Sequence, residues 1–144
     1  MTAMNKTCAL LLGLAAIFAS AAAGAQDVVI VVNSNVSISG ISEAQLRDIF
    51  TGARSRLDDG TRVVPVLLRG GPVHEVFLDK HLRENPEEFR TRWRKAVFTG
   101  QGSMPKEFSS ETAVLEYVAA TPGAMGYVSR TSGNTAVKVL PVSP

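Results

Sequence analysis

The chain of 144 residues has one cysteine, Cys8, and one tryptophan, Trp93. Cys8 opens an apolar run of 16 residues, Cys8 to Ala23, which follows Lys6 and leads into Ala23-Gly24-Ala25. A basic residue, an apolar stretch and a small-x-small end are the pattern of a cleavable secretory leader. The run is shorter than the roughly 20 residues that span a bilayer, so a leader is expected rather than an anchor. Cleavage is expected after Ala25. A lipidation cysteine would stand at the end of such a run, not at its start, which argues against an acyl anchor. The mature part, 26–144, would then hold no cysteine, excluding disulfide bracing and thiol chemistry.

Excess charge of either sign is also lacking. The 15 Lys and Arg face 13 Asp and Glu, and losing Lys6 with the leader leaves 14 against 13. That balance gives no electrostatic case for nucleic acid or for a membrane surface as partner. Arg90, Arg92, Arg94 and Lys95 form a local basic run. Glu84, Glu87 and Glu88 stand just before it, so it reads as a solvated helix face.

Catalytic signatures are missing too. There is no nucleophile elbow, P-loop or dinucleotide fingerprint. His74-Glu75 begins a zinc-protease motif, but Leu78 stands where its second histidine is needed. His81 lies two helical turns beyond His74, farther than one metal ion bridges without another ligand. Both histidines are expected on an exposed helical face. No enzyme activity, metal or cofactor is expected.

What is present is an alternation of strands and helices in a length that suits one domain. Val28 to Val32 is an unbroken apolar run, as in a strand covered on both faces of a parallel sheet. Ser42-Glu43-Ala44-Gln45 is a capping box for a helix with Leu46, Ile49 and Phe50 inside and Gly52 at its end. Asp59-Gly60 marks a tight turn before a strand from Val63 to Leu68, in which Pro65 cannot donate to a ladder. Gly70-Gly71-Pro72 opens a helix with Val73, Val76, Phe77 and Leu82 inward. Asn85-Pro86-Glu87-Glu88 caps another, with Phe89, Trp93, Ala96 and Val97 at helical spacing. A loop from Phe98 to Lys106 leads to a helix capped by Ser109 or Ser110, with Val114, Tyr117 and Val118 inward. Pro122 and Gly123 stop that helix, and Ala124 and Gly126 leave room for close approach along the next strand. Strands from Ala124 to Ser129 and Val137 to Val142 close the chain around a polar turn. This order predicts an α/β layer sandwich.

The string Thr121-Pro122-Gly123-Ala124-Met125-Gly126-Tyr127-Val128 closely resembles one near the C-terminus of phosphate-type periplasmic solute-binding proteins, the PstS-like proteins of the type II periplasmic binding fold. Other pieces match in the same order. They are Val31-Val32-Asn33, Leu46 to Gly52, Asp59-Gly60, Val63 to Val66, Trp93, Phe98 to Gly102 and Pro105. The resemblance implies a single lobe, an α/β three-layer sandwich with a mostly parallel sheet. It does not extend to the companion lobe that closes over the ligand in that family.

In that family a strand-to-helix turn rich in Arg, Asp, Gly, Ser and Thr grips phosphate. The corresponding turn here is Leu67-Leu68-Arg69-Gly70-Gly71-Pro72-Val73, without a hydroxyl and with Arg69 as its only charge, off the family's arginine position. The resemblance implies an oxyanion site at Arg69, Gly70, Gly71 and Val73, built on a helix N-terminus. Each lost hydroxyl should cost about 1 kcal/mol or more, and one lobe cannot enclose a ligand, so weak binding of phosphate or another oxyanion is expected. Two functions are implied. One is a periplasmic domain like the substrate-binding component of phosphate ABC transporters. The other is an interaction or sensory accessory domain that has lost its ligand, acting on an envelope protein or pairing with a second copy.

Overall fold

The computed structural model describes residues 27–130 and 136–144. The expected leader, its cleavage site after Ala25 and most of the closing polar turn lie outside the described residues. The elements run β1 (Val28–Asn33), β2 (Ile41–Ser42), α1 (Glu43–Phe50), β3 (Val64–Leu68), α2 (Pro72–Phe77), α3 (Pro86–Phe98), β4 (Lys106–Phe108), α4 (Glu111–Ala120), β5 (Ala124–Ser129), β6 (Val137–Leu140) and β7 (Val142–Ser143). Among the described residues no helix is long and apolar enough to cross a membrane.

Five strands form the main sheet, in the order β4-β3-β5-β1-β6. β3 is parallel to β4 and to β5, whereas β1 is antiparallel to β5 and to β6. Four strands therefore point one way and β1 runs against them, giving the mostly parallel sheet. The apolar run at Val28–Val32 was a sound sign of burial but not of direction. A strand reads as continuously apolar when both its faces are covered, and β1 meets that condition while antiparallel to both neighbours.

Strand β5 shows how the layers are made. Successive side chains point to opposite faces. A Cβ at Gly126 would lie 2.8 Å from Val114 Cγ1 of α4. The next residue, Tyr127, turns the other way and stacks on Phe77 of α2 with ring centroids 3.8 Å apart. Phe50 of α1 meets the same ring edge-on at 6.0 Å. Helix α4 thus covers one face and α1 with α2 the other, a three-layer sandwich with β5 buried along its whole length.

Local chemistry explains most element ends. Ser42 Oγ accepts the Gln45 N–H and the Gln45 side chain accepts the Ser42 N–H, the expected capping box. Asn85 and Glu88 make the second one. Val64 donates to Gly123 O, so the nitrogen of Pro65 faces the other way, where β4 pairing starts only at Val66. The turn from α4 into β5 is held by two asparagines at the end of β1. Asn33 Nδ2 donates to Val118 O and Ala119 O, Asn33 Oδ1 accepts Asn35 N–H, and Asn35 Oδ1 accepts Gly123 N–H.

Several expectations need correction. The closing strand is split at Pro141, whose carbonyl accepts the Ile41 N–H, and Val142–Ser143 leaves the main sheet to pair with β2. Helix α2 continues as a π-helical turn, Leu78–Leu82, and both histidines are buried rather than exposed. The wider turn changes which side chains share a face, so α-helical spacing fails there. On α3, Phe89 and Trp93 are buried as expected, but Val97 is 48% exposed.

Candidate functional site

The carboxyl ends of β3, β4 and β5 lie along one edge of the sheet, the place where open α/β sheets form ligand crevices. β3 leads through Arg69-Gly70-Gly71 into α2, and β4 leads through Ser109-Ser110 into α4. The strands are adjacent, and Arg69 N–H donates to Phe108 O at 2.8 Å. Two strand-to-helix turns therefore stand side by side.

Each turn follows from its residues. Gly71 has φ 93° and ψ 175°, a conformation close to reserved for glycine, and Pro72 starts α2 where its missing N–H costs nothing. The first helical bond runs from Glu75 N–H to Gly71 O, leaving the Val73 amide outside the ladder. Ser110 Oγ accepts Ala113 N–H at 3.1 Å and caps α4.

The four expected site residues fall on one turn, in an open setting. A Cβ at Gly70 or Gly71 would touch nothing within 4 Å. The Val73 side chain is buried, so this residue can contribute only its backbone. The Arg69 side chain is 70% exposed, with Nε 3.9 Å from Glu107 Oε2. Farther along the edge, Arg130 Nε lies 3.3 Å from Asp27 Oδ2, and a Glu111 carboxylate oxygen accepts the Ser129 N–H. Each arginine at this edge therefore has a carboxylate beside it, which blunts its attraction for an anion.

Ser109 and Ser110 stand next to this turn, which the sequence did not indicate. The sequence offers no hydroxyl in the β3 turn, but the fold sets the exposed β4 turn next to it, with two serines. Only knowledge of β4 could have revealed this. Its three residues, Lys106-Glu107-Phe108, carry no apolar pattern, and the serines read as a helix cap alone.

Beneath the turn lies a buried polar link. Tyr127 Oη accepts the Leu68 N–H at 3.0 Å and shares a hydrogen bond with His74 Nδ1, 2.5 Å away. Burial raises the Tyr127 phenol far above its ordinary range and pushes His74 below its own. Both groups are neutral, so the link ties the end of β3 and the first turn of α2 to β5 without charge. His81 is held separately, its Nδ1 3.2 Å from Glu43 Oε1. Burial lowers its pKa, with the Glu43 carboxylate opposing. The two histidines thus serve different contacts, and among the described residues no cluster of three metal-ligating side chains is formed.

No family model matches the sequence, and no curated protein matches it. Solved structures do. An ABC-type phosphate transport receptor from Vibrio cholerae superposes with a TM-score of 0.63 at 14% identity, over 80% of this chain and 45% of the receptor. A putative phosphate ABC transporter substrate-binding protein from Clostridium perfringens, with bound phosphate, gives 0.60 at 16% identity over 80% of this chain and 44% of its own. PstS from Borrelia burgdorferi gives 0.63 at 14% identity over 81% and 47%. The chain spans just under half the length of each. It therefore carries the fold of the phosphate-type ABC transporter substrate-binding proteins, as a three-layer α/β sandwich matching about half of one such protein.

Proposed function

We propose that the chain is an exported solute-binding-type domain, not an enzyme, that holds phosphate or a similar oxyanion weakly at the edge described above. Arg69 supplies charge, Gly70, Gly71 and Val73 supply backbone amides, and Ser109 supplies a hydroxyl from the neighbouring turn. The observation that carries this reading is the fold likeness to phosphate receptors, with the Arg69 turn at the carboxyl end of β3. The openness of the turn and the Glu107 carboxylate set the strength, a dissociation constant on the order of millimolar.

The test is a thermal-shift and calorimetric titration of the purified protein with phosphate, sulfate and chloride at matched ionic strength. Phosphate at about 100 times its dissociation constant should add about 2.7 kcal/mol. Arg69→Ala and Ser109→Ala should each weaken binding several-fold. Equal response to chloride, or a phosphate response that survives both substitutions, would sink the reading.

One observation favours a second reading. Glu107 lies beside Arg69 where an anion site should be bare of carboxylates. A domain that kept the fold and lost the ligand, acting as an interaction or sensory accessory of an envelope protein, would show that feature. It would ignore all three anions.

A further inference from the structure

Helix α3 is held to the rest of the molecule by Phe89 and Trp93, its buried residues. The Trp93 indole is fixed, with Nε1 donating to Phe50 O at 3.1 Å and its ring packed close against Gly52. Its outer side is the floor of a groove of about 330 Å³ lined by Arg90, Trp93, Arg94, Val97, Phe98 and Met104. Three of these are apolar and exposed: Phe98 strongly, at 90%, Val97 at 48% and Met104 at 37%. A soluble surface leaves single apolar side chains exposed at random, but three around one rigid aromatic floor mark a contact site.

The rim gives the chemistry of the occupant. Arg90 and Arg94 are one helical turn apart and line the same groove. Among the described residues neither guanidinium has an ion pair, whereas Arg92 on the other side of the helix is paired with Glu84. Two cations beside an apolar floor suit a partner with carboxylates flanking a large apolar side chain.

We infer that the α3 groove is a docking site for an acidic segment of a partner protein, one aromatic or aliphatic side chain entering over Trp93 and its carboxylates meeting Arg90 and Arg94. This surface is separate from the Arg69 turn, and the inference does not rest on anion binding there.

The experiment is peptide display on the full chain, followed by affinity measurement on the enriched peptides. The expected result is a consensus with acidic residues beside a Leu, Phe or Trp, whose binding weakens at higher salt. Phe98→Ser should weaken it at least tenfold, as should the double change Arg90→Glu with Arg94→Glu. All three positions are exposed, so the melting temperature should not move. Arg69→Ala should leave peptide binding unchanged, which separates this site from the oxyanion site. No enrichment, a consensus without acidic residues, or binding untouched by these substitutions would overturn the inference. So would sedimentation with phosphatidylglycerol vesicles, or dimerisation in the ultracentrifuge, if lost in the same variants, since either would name a different occupant.

Discussion

The turn into β5 and the turn out of β3 are both glycine-containing loops at strand ends. Structurally they are opposites. At Gly123 a Cβ would sit 2.2 Å from Arg62 O, and at Gly126 it would press on Val114 and Val66. At Gly70 and Gly71 it would meet nothing. The first turn is clamped by Asn35, by Val64 and by the strands around it. The second faces solvent and carries one arginine with a carboxylate beside it. Steric demand from the sheet fixes residues in the first; in the second it is the backbone, with φ 93° at Gly71, that asks for a glycine.

The sharpest way to break this contrast is Gly123→Ala. With φ +75° and backbone in the way, it should lose about 3 kcal/mol or more in urea unfolding. A loss below 1 kcal/mol would show that the turn can relax and that the clamp is not what fixes it. Gly126→Ala comes next. A methyl group pushed between β5 and α4 should cost about 1–3 kcal/mol, and Val114→Ala in the same chain should recover part of it.

Tyr127→Phe probes the link between the two regions. It strips the partner from the buried Leu68 N–H and from His74 Nδ1, for a loss of about 1–2 kcal/mol. Hydrogen exchange at Leu68 should accelerate more than at Val31, which lies on the far side of β5. Equal acceleration would mean a general loss of packing instead.

A smaller effect is expected from pH. His74 and His81 have folded pKa values lowered from 6.5, chiefly by burial. The unfolded chain therefore binds their protons more readily. The stability they allow is full above about pH 6.5 and is lost as pH falls toward their folded values. His74→Phe should flatten the slope of unfolding free energy between about pH 7 and pH 5; an unchanged slope would assign the effect to other groups. The smallest change is Gly70→Ala, expected within about 0.5 kcal/mol because its Cβ enters open space.

The same contrast explains what could be read from the chain. The capping boxes at Ser42 and Asn85, the stop at Pro122-Gly123 and the close approach at Gly126 were legible because each rests on neighbours in sequence or on the absence of a side chain. The direction of β1 was not, since two-sided burial leaves the same apolar run in either orientation. β4 escaped because three residues at a sheet edge need no apolar pattern, and Ser109 and Ser110 escaped with it. His81 was hidden by the π-helical turn in which it lies, whereas His74, in the α-helical part before it, carries no local sign of facing inward. Of the candidate site, the sequence put Arg69, Gly70, Gly71 and Val73 on one strand-to-helix turn, but it gave no sign of the serines beside that turn or of Glu107 near Arg69.

The reversed strand β1 also sets an order of events during synthesis. Its two ladders are to Met125–Ser129 and to Val137–Leu140, so the earliest of the described strands pairs only with the two that come latest in the same sheet. Helices can flicker earlier, but the sheet cannot be completed around β1 before those two are made. This sheet therefore closes late, when β1 is taken in between two strands that lie far along the sequence from it.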